Sequence, residues 1–185
     1  MASCETKMRL RALVLFLAGL RLAHSKSFVD AILDYPKLSN FTQLMKENPR
    51  FAELLNTTNT QGIQTILVPS NNAFSKYKDD TGHLIEYLDQ NIIERLIQYH
   101  TLNSSLTSSE LANPAGIVVS SQLVDIQYNN RGPNSNIQTP GQVVYITSGN
   151  NNNTSAFVNG GLGSAVAIDV VDGTFDNGIF QIVDQ

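Results

Sequence analysis

Thr65-Ile66-Leu67-Val68-Pro69-Ser70-Asn71-Asn72-Ala73-Phe74 is the stretch on which the reading of the whole chain turns. Its first half is a β-branched and aliphatic run, the composition of a buried strand. Pro69 has no backbone N–H to offer a ladder, so the strand stops there. Ser70 and Asn71 are good N-caps for a short helical turn, and Ala73 and Phe74 then face back toward a core. Strand, proline stop, cap and aromatic anchor follow one another without a spare residue.

Upstream of that corner the pattern is helical. Ser27 to Tyr35 reads as a first helix, with Phe28, Ile32 and Leu33 on one face and Pro36 ending it. A second runs from about Ser39 to Asn48 and carries Phe41, Leu44 and Met45. Pro49 suits the first position of a third, with Phe51, Leu54 and Leu55 apolar. Asn56 to Gly62 is a polar loop that leads into the strand.

Downstream, Asp79-Asp80-Thr81-Gly82 reads as a turn, and His83 to Asp89 as a short helix with Leu84, Ile85 and Leu88 inward. Asn91 to His100 is the clearest helix. Ile93, Leu96, Ile97 and His100 fall at i, i+3, i+4 and i+7, which puts His100 on the apolar face. Thr107-Ser108-Ser109-Glu110 is a capping box that opens another short helix. The character then changes to β-rich runs separated by Gly, Asn and Pro: Gly116 to Tyr128, Gln142 to Thr147, Ser155 to Val158, Ala165 to Val171 and Gly178 to Val183. Helices first and strands after predict an α+β domain, not an alternating one. Asn129 to Pro140 and Gly149 to Asn153 are candidate flexible loops.

The N-terminus bears on compartment. Lys7, Arg9 and Arg11 form a basic region, Ala12 to Leu20 an apolar run, and Ala23-His24-Ser25 a small-x-small site. Residues 1–25 therefore read as a secretory signal peptide and residues 26–185 as a single domain, with no transmembrane segment after cleavage, since the apolar run is too short to span a bilayer. Removal of residues 1–25 leaves eight basic against fifteen acidic residues, a net charge of −7, and no Lys or Arg follows Arg131. That balance argues against nucleic acid and anionic membranes as partners. Cys4, the only cysteine, leaves with the signal. The domain must then be held by its core, and it has no thiolate for catalysis or metal binding.

Few residues could carry chemistry. His100 as a catalyst needs a nucleophile or carboxylate beside it in an open cleft. Its place on an apolar helical face reads instead as a core histidine bonded to backbone or a hydroxyl. His83 stands at an exposed boundary. Asp169, Asp172, Asp176 and Asp184 lie close in sequence but lack the dense alternation of a calcium loop, and read as a solvated acidic edge. Gly160-Gly161-Leu162-Gly163-Ser164 lacks the Lys-Ser/Thr ending of a phosphate loop and the Gly-x-Ser-x-Gly of a nucleophile elbow, and reads as a turn. No catalytic residue, cofactor or metal is expected. Five sequons are present, at Asn40, Asn56, Asn103, Asn152 and Asn153, and the last two overlap.

Two further stretches complete a pattern with the opening one. Thr65 to Phe74 resembles the first signature motif of fasciclin-like domains, Asn177 to Asp184 resembles the second, and Tyr99-His100 sits between them like the family's Tyr-His pair. Thr65, Pro69, Asn71, Phe74, Tyr99, His100, Asn177 and Gly178 are the positions that carry the match. The resemblance implies an α+β fold, a β-wedge or sandwich of about six to seven strands with N-terminal and flanking helices. It also implies a structural role for His100, an extracellular adhesion or matrix and cell-wall role, and no catalysis. Two departures touch binding. Integrin-binding members carry Asp-Ile just before the second motif, where this chain has Asp172-Gly173, and the second motif usually has a histidine where this chain has Gln181. Asp172 is kept as an adhesion candidate.

The reading that follows is a secreted, glycosylated, monomeric module whose partners are matrix, cell-wall or cell-surface proteins and glycans. One rival is a carrier holding a small apolar molecule in a pocket between helices and sheet lined by Phe, Leu and Ile. Another is a hydrolase built on His100, which needs Ser, Asp or Glu within hydrogen-bond reach of an accessible ring.

Overall fold

The computed structural model describes residues 26–57, 64–128, 141–149, 156–159 and 165–184. Six α-helices lie among them: α1 (Phe28–Ile32), α2 (Ser39–Glu47), α3 (Pro49–Thr57), α4 (Asn71–Thr81), α5 (Gln90–His100) and α6 (Ser108–Leu111). The strands are β1 (Gln64–Pro69), β2 (Thr101–Leu102), β3 (Ile117–Ser120), β4 (Val143–Ser148), β5 (Ala156–Asn159), β6 (Ala165–Phe175) and β7 (Gly178–Val183). The class is α+β, as the order of the sequence patterns predicts.

All seven strands belong to one sheet, ordered β2-β1-β7-β6-β5-β4-β3. Every pairing is antiparallel except β1 with β7, which run parallel from Gln64↔Gly178 to Pro69↔Val183. The two ends of the order then approach each other. Leu102 bridges Ser121, the Asn103 N–H donates to the Ser120 carbonyl at 2.9 Å, and the Gln122 N–H donates to the Thr101 carbonyl at 2.8 Å. The sheet is therefore nearly closed, and closure satisfies polar edge groups that an open sheet would leave bare.

Closure gives the central strands two apolar sides. Ile66 and Val68 of β1, with Phe180 and Ile182 of β7, pack against Phe28, Ile32, Leu44, Met45, Phe51 and Ile93 in the helical layer. Leu67 and Val183 point the other way, into the interior with Leu102, Val144, Ile146 and Ile168. This is why Thr65 to Val68 is a continuous apolar run and not an alternating one: a strand of a parallel pair covered on both faces has no wet side. Phe180 anchors the layers, its ring edge-on to Tyr35 at 5.2 Å and to Phe28 at 6.1 Å.

The helix ends follow local chemistry. The Ser70 hydroxyl accepts from the Asn72 and Ala73 N–H groups and so caps α4, as its sequence context predicts. That helix is longer than the expected turn. It runs through Asp79, Asp80 and Thr81 and ends only at Gly82, whose φ of 74° is the left-handed conformation a glycine adopts without strain. The capping box at Thr107 and Glu110 is present at the start of α6.

Several expectations need correction. Leu33 is 50% exposed: it keeps helical dihedrals as the C-cap of α1 but lies about 100° around the axis from Ile32, off the face that buries Phe28, Ala31 and Ile32. His83 to Asp89 holds only a short 3-10 turn, Ile85–Tyr87, with Leu84 exposed. In the Gly116 to Tyr128 run the strand is confined to β3, and 122–128 is turn and irregular chain. β6 extends four residues past Val171 to Phe175, and β2 was not anticipated. The expected loops at Asn129 to Pro140 and around Asn150 to Asn153, and the turn at Gly160 to Ser164, lie outside the described residues. Among the described residues, no helix is long and apolar enough to cross a membrane.

Candidate functional site

The motif positions are places where distant segments are tied together. Thr65, fully buried in β1, donates its hydroxyl to the Ser104 carbonyl at 2.7 Å and accepts from the Leu106 N–H at 2.8 Å. Pro69 closes the ladder opposite Val183, and the next N–H, that of Ser70, donates to the Val183 carbonyl at 2.8 Å. Asn71 donates to the Ser39 hydroxyl at 3.0 Å and the Pro36 carbonyl at 3.3 Å, and accepts from the Asn40 N–H at 3.0 Å. It thereby pins the start of α2 to the start of α4. The Gln64 N–H donates to the Asn177 carbonyl, and Gly178 passes so close to β1 that a Cβ there would stand 2.2 Å from the Gln64 carbonyl oxygen. Only glycine allows that approach without displacing backbone.

His100 ends α5. Its Nδ1 lies 2.8 Å from the Leu67 carbonyl oxygen, which can only accept, so Nδ1 carries the proton and donates. Burial holds the ring's pKa below the usual histidine value, against the raising effect of that bond to Leu67. The neutral imidazole joins the helix end to β1, the tie expected of a core histidine, with Tyr99 edge-on to it at 6.1 Å. Among the described residues, no Ser, Asp or Glu bonds to the ring.

His100 also stands at the wall of a cavity of about 150 Å³ between the helices and β1. Phe41 of α2, Phe74 and Tyr77 of α4, Ile85 and Leu96 supply much of the remaining wall. The Phe, Leu and Ile lining is the one the carrier reading requires.

Asp172 occupies a different place. It sits in the irregularity of β6 between Asp169 and Gly173, with a φ of 45°. Its Oδ1 accepts from the Ser108 N–H at 2.9 Å and from Gln181 Nε2 at 2.7 Å. Partial burial pushes its carboxyl up, but bonds from Ser108 and Gln181 outweigh this and hold it below the ordinary carboxylate range. Gln181, fully buried, makes the rest of the knot: Nε2 donates to the Leu106 carbonyl at 2.9 Å, and Oε1 accepts from the N–H groups of Val171 at 2.8 Å and Asp172 at 3.1 Å. All four hydrogen-bonding positions of the carboxamide are filled. Gly173 lies under the Phe180 ring, where a Cβ would come within 2.2 Å of a ring carbon. An isoleucine at that position has no room while Phe180 keeps its place.

The other acidic side chains are dispersed. Asp169 pairs with Lys37 and Asp184 accepts from the Ser70 hydroxyl at 2.5 Å. Among the described residues no group of three or more His, Cys, Asp and Glu comes together. Of the sequon residues, Asn40 is exposed at the start of α2, and Asn103 is exposed with its amide donating to the Ser121 carbonyl at 3.0 Å. Asn56 lies in the last turn of α3, not in the expected loop, and Asn152 and Asn153 fall outside the described residues.

The roles of Gln181 and Tyr77 were not legible in the sequence. Gln181 stands where a motif histidine was looked for, and its value lies in partners from Leu106 and Val171 that no local spacing announces. Tyr77 belongs to the part of α4 that reads as polar.

The family model described as the Fasciclin domain matches residues 36–185. Fasciclin-1 of Drosophila melanogaster is 27% identical over 118 residues, which is 64% of this chain and 17% of that protein. A solved FAS1 domain pair from the insect cell adhesion molecule Fasciclin I is similar in fold, with a TM-score of 0.60 at 15% identity, over 86% of this chain and 49% of that one. The chain thus spans about half of the solved pair and under a fifth of the curated relative.

Proposed function

The chain belongs to the fasciclin domain family, and from that premise we propose that it is an extracellular adhesion module, secreted through residues 1–25, glycosylated, and associated with matrix, cell wall or cell surface. The observation that carries the reading is the family match over residues 36–185, with its likeness to a cell adhesion molecule. The chemistry of the signature residues supports it. His100 and Asp172 are both committed to holding the fold, one to the Leu67 carbonyl and one to Ser108 and Gln181. With His100 tied through Nδ1 and Asp172 through Oδ1 to the fold, the molecule acts by surface contact and not by catalysis.

The contact surface lies on the chain that follows β3. Val124, Ile126 and Tyr128 are 60, 89 and 44% exposed, an unusual density of apolar side chains in water. Arg95 of α5 holds this segment, pairing with Asp125 at 3.1 Å and covering the Tyr128 ring at 4.5 Å. An apolar strip tied down at two points by one side chain loses less entropy on association than a free one. Glycans on Asn40, Asn56, Asn103 and one of Asn152 or Asn153 complete the surface, and the module works as a monomer.

The test is saturable binding of the secreted, glycosylated protein to immobilised matrix proteins, cell-wall polysaccharides and whole cells, with a deglycosylated sample alongside. Binding that survives deglycosylation and is lost with Ile126→Asp is the expected result. Failure to bind any of these surfaces overturns the adhesion reading.

A further inference from the structure

The cavity beside α5 has two features that a packing defect does not combine. Its wall is mostly apolar, and its volume of about 150 Å³, open to solvent on one side, has room for a single aromatic ring. Yet two polar side chains stand in that wall, Tyr77 and His100. The His100 Nδ1 is engaged by the Leu67 carbonyl, so Nε2 is the acceptor left over, and among the described residues it meets no donor. The Tyr77 hydroxyl likewise has no hydrogen-bond partner among the described residues. Both side chains are half-buried, and a donor and an acceptor on an otherwise apolar wall are what a ligand with one ring and one hydroxyl matches.

We propose that this cavity is a binding site for a small monocyclic aromatic alcohol of the phenol class, its ring among Phe41, Phe74 and Leu96 and its hydroxyl between His100 Nε2 and Tyr77. The ligand O–H donates to Nε2, and the Tyr77 O–H donates to the ligand oxygen. Nε2 and the Tyr77 hydroxyl each then make one hydrogen bond, and the ligand hydroxyl makes two. An aliphatic acid is disfavoured, because no cation lines the chamber to offset burial of its charge.

The experiment is an NMR titration of the full secreted protein with phenol and, separately, with toluene, reading the methyl groups of Ile85, Ile93 and Ile97. Saturable shifts confined to these methyls, at ligand concentrations below about 10 mM, are expected for phenol. Leu96→Trp, which fills the half-buried side of the chamber, should abolish them while the remaining spectrum stays native. The ratio of phenol to toluene affinity should fall about five- to tenfold in His100→Leu and in Tyr77→Phe, the loss expected for one neutral hydrogen bond. Tyr77→Phe removes only a hydroxyl, so the comparison stands even where His100→Leu impairs folding. Shifts absent in the wild type, or persisting in Leu96→Trp, overturn the site. A ratio unchanged in every variant that folds overturns the assignment to a hydroxyl-bearing ligand.

Discussion

Four hydrogen bonds converge on the Gln181 carboxamide, and three of their partners are backbone groups, those of the adjacent Val171 and Asp172 and of the distant Leu106. Gln181→Leu keeps the volume but strands the Leu106 carbonyl and the Val171 N–H without partners. It should lower unfolding free energy by on the order of 3 kcal/mol, read by urea denaturation. His100 gives a pH-dependent counterpart. Its folded pKa is lowered, so the unfolded chain binds the proton more readily. The contribution of neutral His100 is then fully present above the unfolded value of about 6.5 and is lost as pH falls through the folded one. Thermal scans at pH 7.5 and 5.5 should show a lower melting temperature at the acidic value, and His100→Gln should flatten that difference. The place of His100 on the apolar face of its helix was legible because i, i+3, i+4, i+7 spacing puts its ring there. The partner of that ring was not, since Leu67 is 33 residues away.

At the scale of elements, the corner from β1 into α4 is held by one side chain at each step. Ser70 caps α4 and also donates to Asp184, so Ser70→Ala should cost about 1–2 kcal/mol in thermal or urea unfolding. Gly178 governs the parallel pair. Gly178→Ala places a methyl against the Gln64 carbonyl and should destabilise by at least about 2 kcal/mol, with faster amide exchange along β1 and β7. The strand, the proline stop and the Ser70 cap were all readable from Thr65 to Phe74, because each is decided by neighbours in the chain. The full length of α4 was not. Lys76 to Thr81 carry little apolar periodicity, and the helix continues through them until a glycine ends it. β2 escaped notice for a related reason: two residues make no pattern, and Thr101 and Leu102 are strand only because β1 lies beside them.

The whole molecule joins a strand from its first half to its last strand in a parallel pair, and closes the sheet with β2 against the end of β3. No sequence period encodes either contact, so the α+β class could be read while the near-closure could not. Asp172 is tied into the frame by Ser108 and Gln181 and His100 by Leu67, while Val124, Ile126 and Tyr128 stand exposed outside it. A paired measurement tests function by surface contact with the signature residues structural. Asp172→Asn removes the charge but keeps an acceptor for Ser108 and Gln181 and a residue that tolerates positive φ, whereas Ile126→Asp changes only an exposed side chain. Adhesion to the surface that the wild-type protein binds best would be measured for both, with melting temperatures alongside. Near-wild-type melting is expected for both variants, with adhesion retained in Asp172→Asn and reduced at least about tenfold in Ile126→Asp. Adhesion lost in a fully folded Asp172→Asn and unchanged in Ile126→Asp would contradict function by surface contact.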